Sequence, residues 1–204
     1  MTSAVDTKAA RPGPRERLLR AALDVTYTHG VNVGVDAILQ RADVARRSLY
    51  QHFGGKDGLI TEALRAAAVE MGARYERVLA AGGDDPRARI RGLFDELAAI
   101  TRRDGFRGCR FTSADLALSD PDHPAHEVGR EHKRQVHGLL RRELERMGHP
   151  DPEAGADQLL LLVDATLVVA GARPGSDPVV PARALAETVL AQAPVTTPGG
   201  AGTP

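Results

Sequence analysis

Within eleven residues the chain gathers Arg46, Arg47, Ser48, Tyr50, Gln51, His52 and Lys56. This is a set of hydrogen-bonding and cationic groups that suits contact with nucleic acid more than any bond-making chemistry. An arginine fork matches O6 and N7 of guanine and a carboxamide matches N6 and N7 of adenine, so Arg46, Arg47, Ser48 and Gln51 are candidates to read base edges. Tyr50, His52 and Lys56 suit phosphates, and Lys56 also opens a helix, whose free N–H groups favour an anion. A pair of neighbouring arginines is often only a solvated helix face. Here Ile38, Leu39, Val44, Leu49 and Phe53 form an apolar frame that turns the cationic side outward.

Other reactive side chains are scattered. Five of the seven histidines fall between His123 and His149, but their spacing does not present them on one helix face as a metal site requires, and the expectation is capping and packing, with no metal and no cofactor. Cys109 has Arg107 and Arg110 nearby, which would favour a thiolate; a lone cysteine before Phe111 also reads as a small buried hydrophobe. Asp164 interrupts the run Leu159–Val169, where a carboxylate must find a partner, in a ligand pocket or at a polar contact in a seam. Leu93, Phe94, Leu97, Phe111, Asp115 and Val163 are the expected lining of an internal ligand cavity, set against the plainer reading that apolar stripes are core. No Ser-His-Asp spacing, glycine-rich phosphate loop, HExxH motif or paired catalytic carboxylate stands out.

The elements that must position these groups are helical. Apolar residues recur three and four apart, and no sustained alternation predicts a strand. Helices are expected over 15–29, 35–42, 46–52, 57–80, 86–103, 125–147, 152–172 and 181–192, with a buried-looking stretch at 109–118. Proline, glycine and aspartate punctuate them. The fold class is therefore all-α, of about nine helices: a three-helix head over 14–60 on a larger helical body over 61–193. Residues 1–13 and 194–204 read as disordered ends. The 204 residues hold 27 Lys and Arg against 27 Asp and Glu and are 42% hydrophobic, the profile of a folded chain with a core. Residues 1–60 carry nine basic against six acidic side chains, a local bias that permits contact with a polyanion. A single cysteine excludes an internal disulfide, and a cytoplasmic location is expected. No signal-peptide pattern opens the chain, and the apolar stretch 159–172 falls short of the roughly 20 residues of a membrane span, so no membrane partner is expected.

The run Leu49-Tyr50-Gln51-His52-Phe53-Gly54-Gly55-Lys56-Asp57-Gly58-Leu59 fills every fixed position of the L-Y-x-H-F-x-x-K-x-x-L pattern found in the heads of the TetR (tetracycline-repressor) family of bacterial regulators. Residues 15–62 resemble that head, and the upstream AALDVTYTHG and VDAILQRADV fit it too. The sequence departs from the family habit at Gly34, Asp43 and Ala45, where Thr, Gly and a Ser or Thr helix cap are usual. The resemblance implies a DNA-binding head on a body that binds a ligand and dimerises through its last two long helices. The apolar girth of 159–169 and the stripe of the final helix agree, with Leu160, Leu167, Leu185 and Val189 as the expected seam. Taken together, the expectation is a homodimeric repressor that leaves a near-palindromic double-stranded operator when a small, apolar effector binds. The alternative is a small helical enzyme or carrier that uses the same cavity without DNA.

Overall fold

The computed structural model describes residues 12–194; the expected disordered ends fall almost wholly outside the described residues. Those residues form nine helices and no strand: α1 Pro14–His29, α2 Val35–Ala42, α3 Arg46–Phe53, α4 Lys56–Ala81, α5 Pro86–Thr101, α6 Arg110–Ala117, α7 Ala125–Arg146, α8 Pro152–Ala172 and α9 Val179–Leu190. Local chemistry sets most of the ends. Asp85 accepts from the Arg87 N–H at 2.9 Å and Asp151 from the Ala154 N–H at 3.1 Å, each just ahead of a proline in the first turn, where a missing N–H costs nothing. Gly30 ends α1 with a positive φ of 82° and donates to the Thr26 carbonyl. The stretch 109–118 is the short helix α6. The last helix starts two residues earlier than its proline suggests, since Pro181 is tolerated within a first turn.

Two apolar cores divide the molecule. Leu18, Ala22, Ile38, Leu39 and Leu49 build the head with Leu59 and Ala63 of α4, whereas Ile60, Leu64 and Ala67 of the same helix belong to the core of the body. The chain thus passes from head to body inside one uninterrupted helix. Around α4 the body packs α7, against which Gly72 permits close approach: a Cβ there would fall 2.5 Å from the Gln135 side chain. α5, α8 and α9 complete the bundle.

The helix α8 spans 21 residues with a mean hydropathy of 1.5 over its most apolar window, so by length and composition it does reach what a membrane span needs. The expectation of a shorter stretch fails because Asp151 and Pro152 start the helix seven residues ahead of Leu159. In the fold it is a core helix on one side, burying Ala156, Leu159, Val163 and Leu167.

Candidate nucleic-acid interface and ligand cavity

The turn between α2 and α3 is built without the usual residues. Asp43 takes the left-handed conformation, with φ 51° and ψ 55°, and Ala45 precedes α3 with no side-chain cap. The compensation comes from α1. Arg17 Nη1 donates to the carbonyls of Ala42 at 3.2 Å and Asp43 at 2.7 Å, and to Asp43 Oδ2 at 3.2 Å. One guanidinium therefore satisfies carbonyls that α2 leaves open and holds a backbone shape that a non-glycine residue adopts only at a cost. Sequence reading missed Arg17, because its partners lie 25 and 26 residues away.

On this frame Leu49 is buried, and Arg46, Arg47, Tyr50, Gln51 and His52 are exposed, with Ser48 and Lys56 half-buried. Arg46 reaches back to an ion pair with Asp36 of α2. Arg47 and Gln51 stand one turn apart on one face and have no side-chain hydrogen-bond or ion-pair partner among the described residues. Tyr50 is 57% exposed, open for the phosphate contact expected of it. Gly58 locks the junction into α4, since a Cβ there would lie 2.0 Å from the Phe53 carbonyl oxygen.

In the body a cavity of about 210 Å³ opens between α4, α7, the α5–α6 loop and α8, walled by Met71, Tyr75, Phe106, Cys109, Phe111, His132 and Leu167, with Tyr27 of α1 at its edge. His132 is 5% exposed and stacks on Phe111 with ring centroids 4.1 Å apart. Burial, then the charge of Lys133, pushes its pKa down to about 4, so the ring is neutral. Burial pushes the Tyr75 phenol up. Lys133 supplies the partner that Asp164 requires: the two form an ion pair that ties α7 to α8, and Lys133 Nζ also lies 3.9 Å from Cys109 Sγ.

Of the six residues expected to line a ligand cavity, Phe111 borders this one. Leu93, Leu97 and Val163 are buried in the body's core and border none of the cavities described, and Phe94 faces a separate recess between α5 and α9. Asp115 lies 2.5 Å from His126 Nδ1 and, with Phe111, borders a second, more open recess between α6 and α7. The stripes of α5 and α8 read equally well as core, and core is where they pack. The histidines serve as partners within the fold. His126 faces acceptors with both nitrogens, Asp115 and the Asp120 carbonyl, which raises its pKa. His149 donates to the Val189 carbonyl at 3.1 Å and accepts from the Asp151 N–H at 3.1 Å. Among the described residues no group of three His, Cys, Asp or Glu side chains is placed to hold a metal ion.

The α5–α6 loop joins cavity to head. The Tyr27 hydroxyl donates to the Gly108 carbonyl at 3.1 Å and accepts from the Arg107 N–H at 2.9 Å, and the Arg110 guanidinium lies 4.8 Å over its ring. Gly108 in turn packs on α8, where a Cβ on Gly171 would fall 2.8 Å from its nitrogen.

The profile of bacterial regulatory proteins of the tetR family matches residues 18–63. The sav143 protein of Streptomyces avermitilis, a TetR-type transcriptional regulator of known structure, is 33% identical and superposes with a TM-score of 0.77, covering 87% of this chain and 98% of its own. The chain belongs to the TetR family of transcriptional regulators. Two more comparisons span both head and body. The HTH-type transcriptional regulator YjdC of Escherichia coli is 22% identical over 154 residues, 75% of this chain and 81% of its own. A cysteine variant of the TetR-family regulator CifR, solved with a 26-base-pair operator DNA, is 25% identical with a TM-score of 0.72, covering 91% of this chain and 99% of its own.

In this TetR-family chain the expected seam residues divide. Leu185 is 54% exposed and Leu160 half-buried, but Leu167 and Val189 are buried against their own chain and face inward. The apolar side chains that α8 and α9 turn outward are Leu161, Val168 and Val180, beside the expected Leu185. Because α8 is apolar almost all round, its sequence does not mark which side faces out.

Proposed function

We propose that this regulator binds a near-palindromic operator as a homodimer in the cytoplasm and is released from it when a small molecule occupies the cavity in the body. The head over 14–60 carries DNA contact and the body over 61–193 carries the effector and the seam. The observation that carries the reading is the exposed face of α3, where Arg47 and Gln51 present a fork and a carboxamide with no side-chain partner among the described residues. Arg46, Ser48, Tyr50, His52 and Lys56 surround them and suit the phosphates and flanking edges. CifR bound to its operator supports DNA as the partner of this chain as well. The outward apolar stripes of α8 and α9 support a two-fold seam of four helices, which would set two recognition helices about one DNA turn, roughly 34 Å, apart.

Release is coupled to the cavity through the junction at Tyr27. A ligand in the cavity contacts Tyr27 of α1 and the Arg110 that lies over its ring, so it favours whichever head position suits the filled cavity. A gel shift with the DNA flanking the protein's own gene tests the reading. Tight, sequence-selective retardation of a dimer is expected, and the absence of any selective retardation would return the alternative of an enzyme or carrier.

A further inference from the structure

The cavity in the body has a chemistry of its own, which selects a class of ligand; that this ligand is the effector rests on the function proposed above. Its volume of about 210 Å³ exceeds the roughly 150 Å³ of a dry apolar cavity that takes up benzene, so a single ring with a short substituent fills it. The walls offer flat partners, Tyr75, Phe106 and Phe111, rather than a purely branched aliphatic surface. Inside, His132 is 5% exposed and its Nδ1 has no hydrogen-bond partner. A buried polar atom in that state is unfavourable, and a ligand hydroxyl that shifts the wall enough to reach it would satisfy it.

The rim is cationic. Arg103 has no side-chain partner among the described residues, and Arg110 lies over the Tyr27 ring without a carboxylate. Arg74 is neutralised by its ion pair with Glu96, and Asp104 is the one acidic side chain on the lining. Such a rim repels an amine and leaves its forks unused by a neutral ligand, whereas a carboxylate takes them up bidentately. We infer that the effector is a small hydroxylated aromatic carboxylate, its ring against Phe111 and Tyr75, its carboxylate at Arg103 and Arg110, and its hydroxyl toward His132.

Calorimetric titration of the full-length protein with 4-hydroxybenzoate, beside benzoate, 4-hydroxybenzyl alcohol and cyclohexanecarboxylate, tests this. Saturable binding of 4-hydroxybenzoate is expected, with affinity at least about tenfold above the alcohol and the saturated acid. Arg103→Gln should weaken both aromatic acids by about tenfold, and His132→Phe should weaken 4-hydroxybenzoate while leaving benzoate nearly unchanged. Arg103 is exposed, so its variant keeps the test decisive even if His132→Phe does not fold. Equal binding of cyclohexanecarboxylate, indifference to Arg103→Gln, or no saturable binding up to about 10 mM overturns the inference. If the alcohol alone binds and frees the operator, the effector reading stands and this one falls. If 4-hydroxybenzoate binds with the expected selectivity but leaves operator affinity unchanged, this one stands and the effector reading falls.

Discussion

Arg47 and Gln51 are exposed and make no side-chain hydrogen bond or ion pair among the described residues, so removing either leaves the polar contacts of the fold intact and acts on recognition. Arg47→Ala should cost about 1–3 kcal/mol with the cognate operator and little with random DNA. Lys56→Ala should weaken both alike and flatten the dependence of log affinity on log salt by about one unit, as loss of one phosphate contact requires. Fluorescence anisotropy across a salt series separates the two; an Arg47→Ala protein with undiminished operator preference would remove Arg47 from base reading. Arg17 contrasts with both. It touches no DNA in this reading, yet Arg17→Ala should lower head stability by about 1–3 kcal/mol, since its hydrogen bonds are charge-assisted and close the turn.

His132 and His126 act on stability in different pH windows. Because His132 titrates near 4 when folded and near 6.5 when unfolded, the unfolded state binds the extra proton between those values. Stability should therefore fall as pH drops from about 6.5 to 4, by about 3 kcal/mol from this residue. His126 runs the other way: its folded pKa is raised, so its contribution is complete below 6.5 and is lost as pH rises through the folded value. Denaturant titrations from pH 5 to 8 should show a flatter acid limb in His132→Phe; an unchanged limb would place the loss elsewhere.

Among the elements, caps and breakers made the helices legible, since Pro14, Gly30, Asp85-Pro86 and Asp151-Pro152 act through neighbours a few residues away. What could not be read depends on partners distant in sequence. Asp43 is a weak turn residue by itself and becomes a good one only with Arg17 beside it, and the cavity draws its walls from α4, α6, α7, α8 and the α5–α6 loop, so no single periodic stripe marks it. The facing of α8 was hidden for the opposite reason: Leu159 to Leu162 are all apolar, and only packing decides that Leu159 is buried and Leu161 is 69% exposed. The seam prediction moves accordingly. Val168→Arg and Leu185→Arg should each leave the monomer folded, being 44% and 54% exposed in the single chain, yet weaken dimerisation by about a hundredfold or more, or about 2.7 kcal/mol, by burying an unpaired charge. Sedimentation velocity over a dilution series reads this directly, and wild-type-like dimers would move the seam off these helices.

For the whole molecule, the Tyr27 junction is the shortest connection between the cavity and α1. Tyr27→Phe removes both hydrogen bonds to the α5–α6 loop while keeping the ring, so operator affinity without ligand should change little and the release caused by ligand should shrink several-fold. Operator titrations with and without a cavity ligand measure it; full retention of release would route the coupling elsewhere. A second connection is α4 itself, joined to α3 through two glycines and pinned where Gly58 meets Phe53. As a rigid rod its 26 residues extend about 39 Å. A pivot of about 5° at the body end would therefore swing the far end by about 3 Å, close to the 3.4 Å rise of one base pair. Two heads pivoting in opposite senses would then slip by nearly two steps of the DNA ladder, so a displacement in the body no larger than a side-chain rearrangement is enough to put both recognition helices out of register with their grooves.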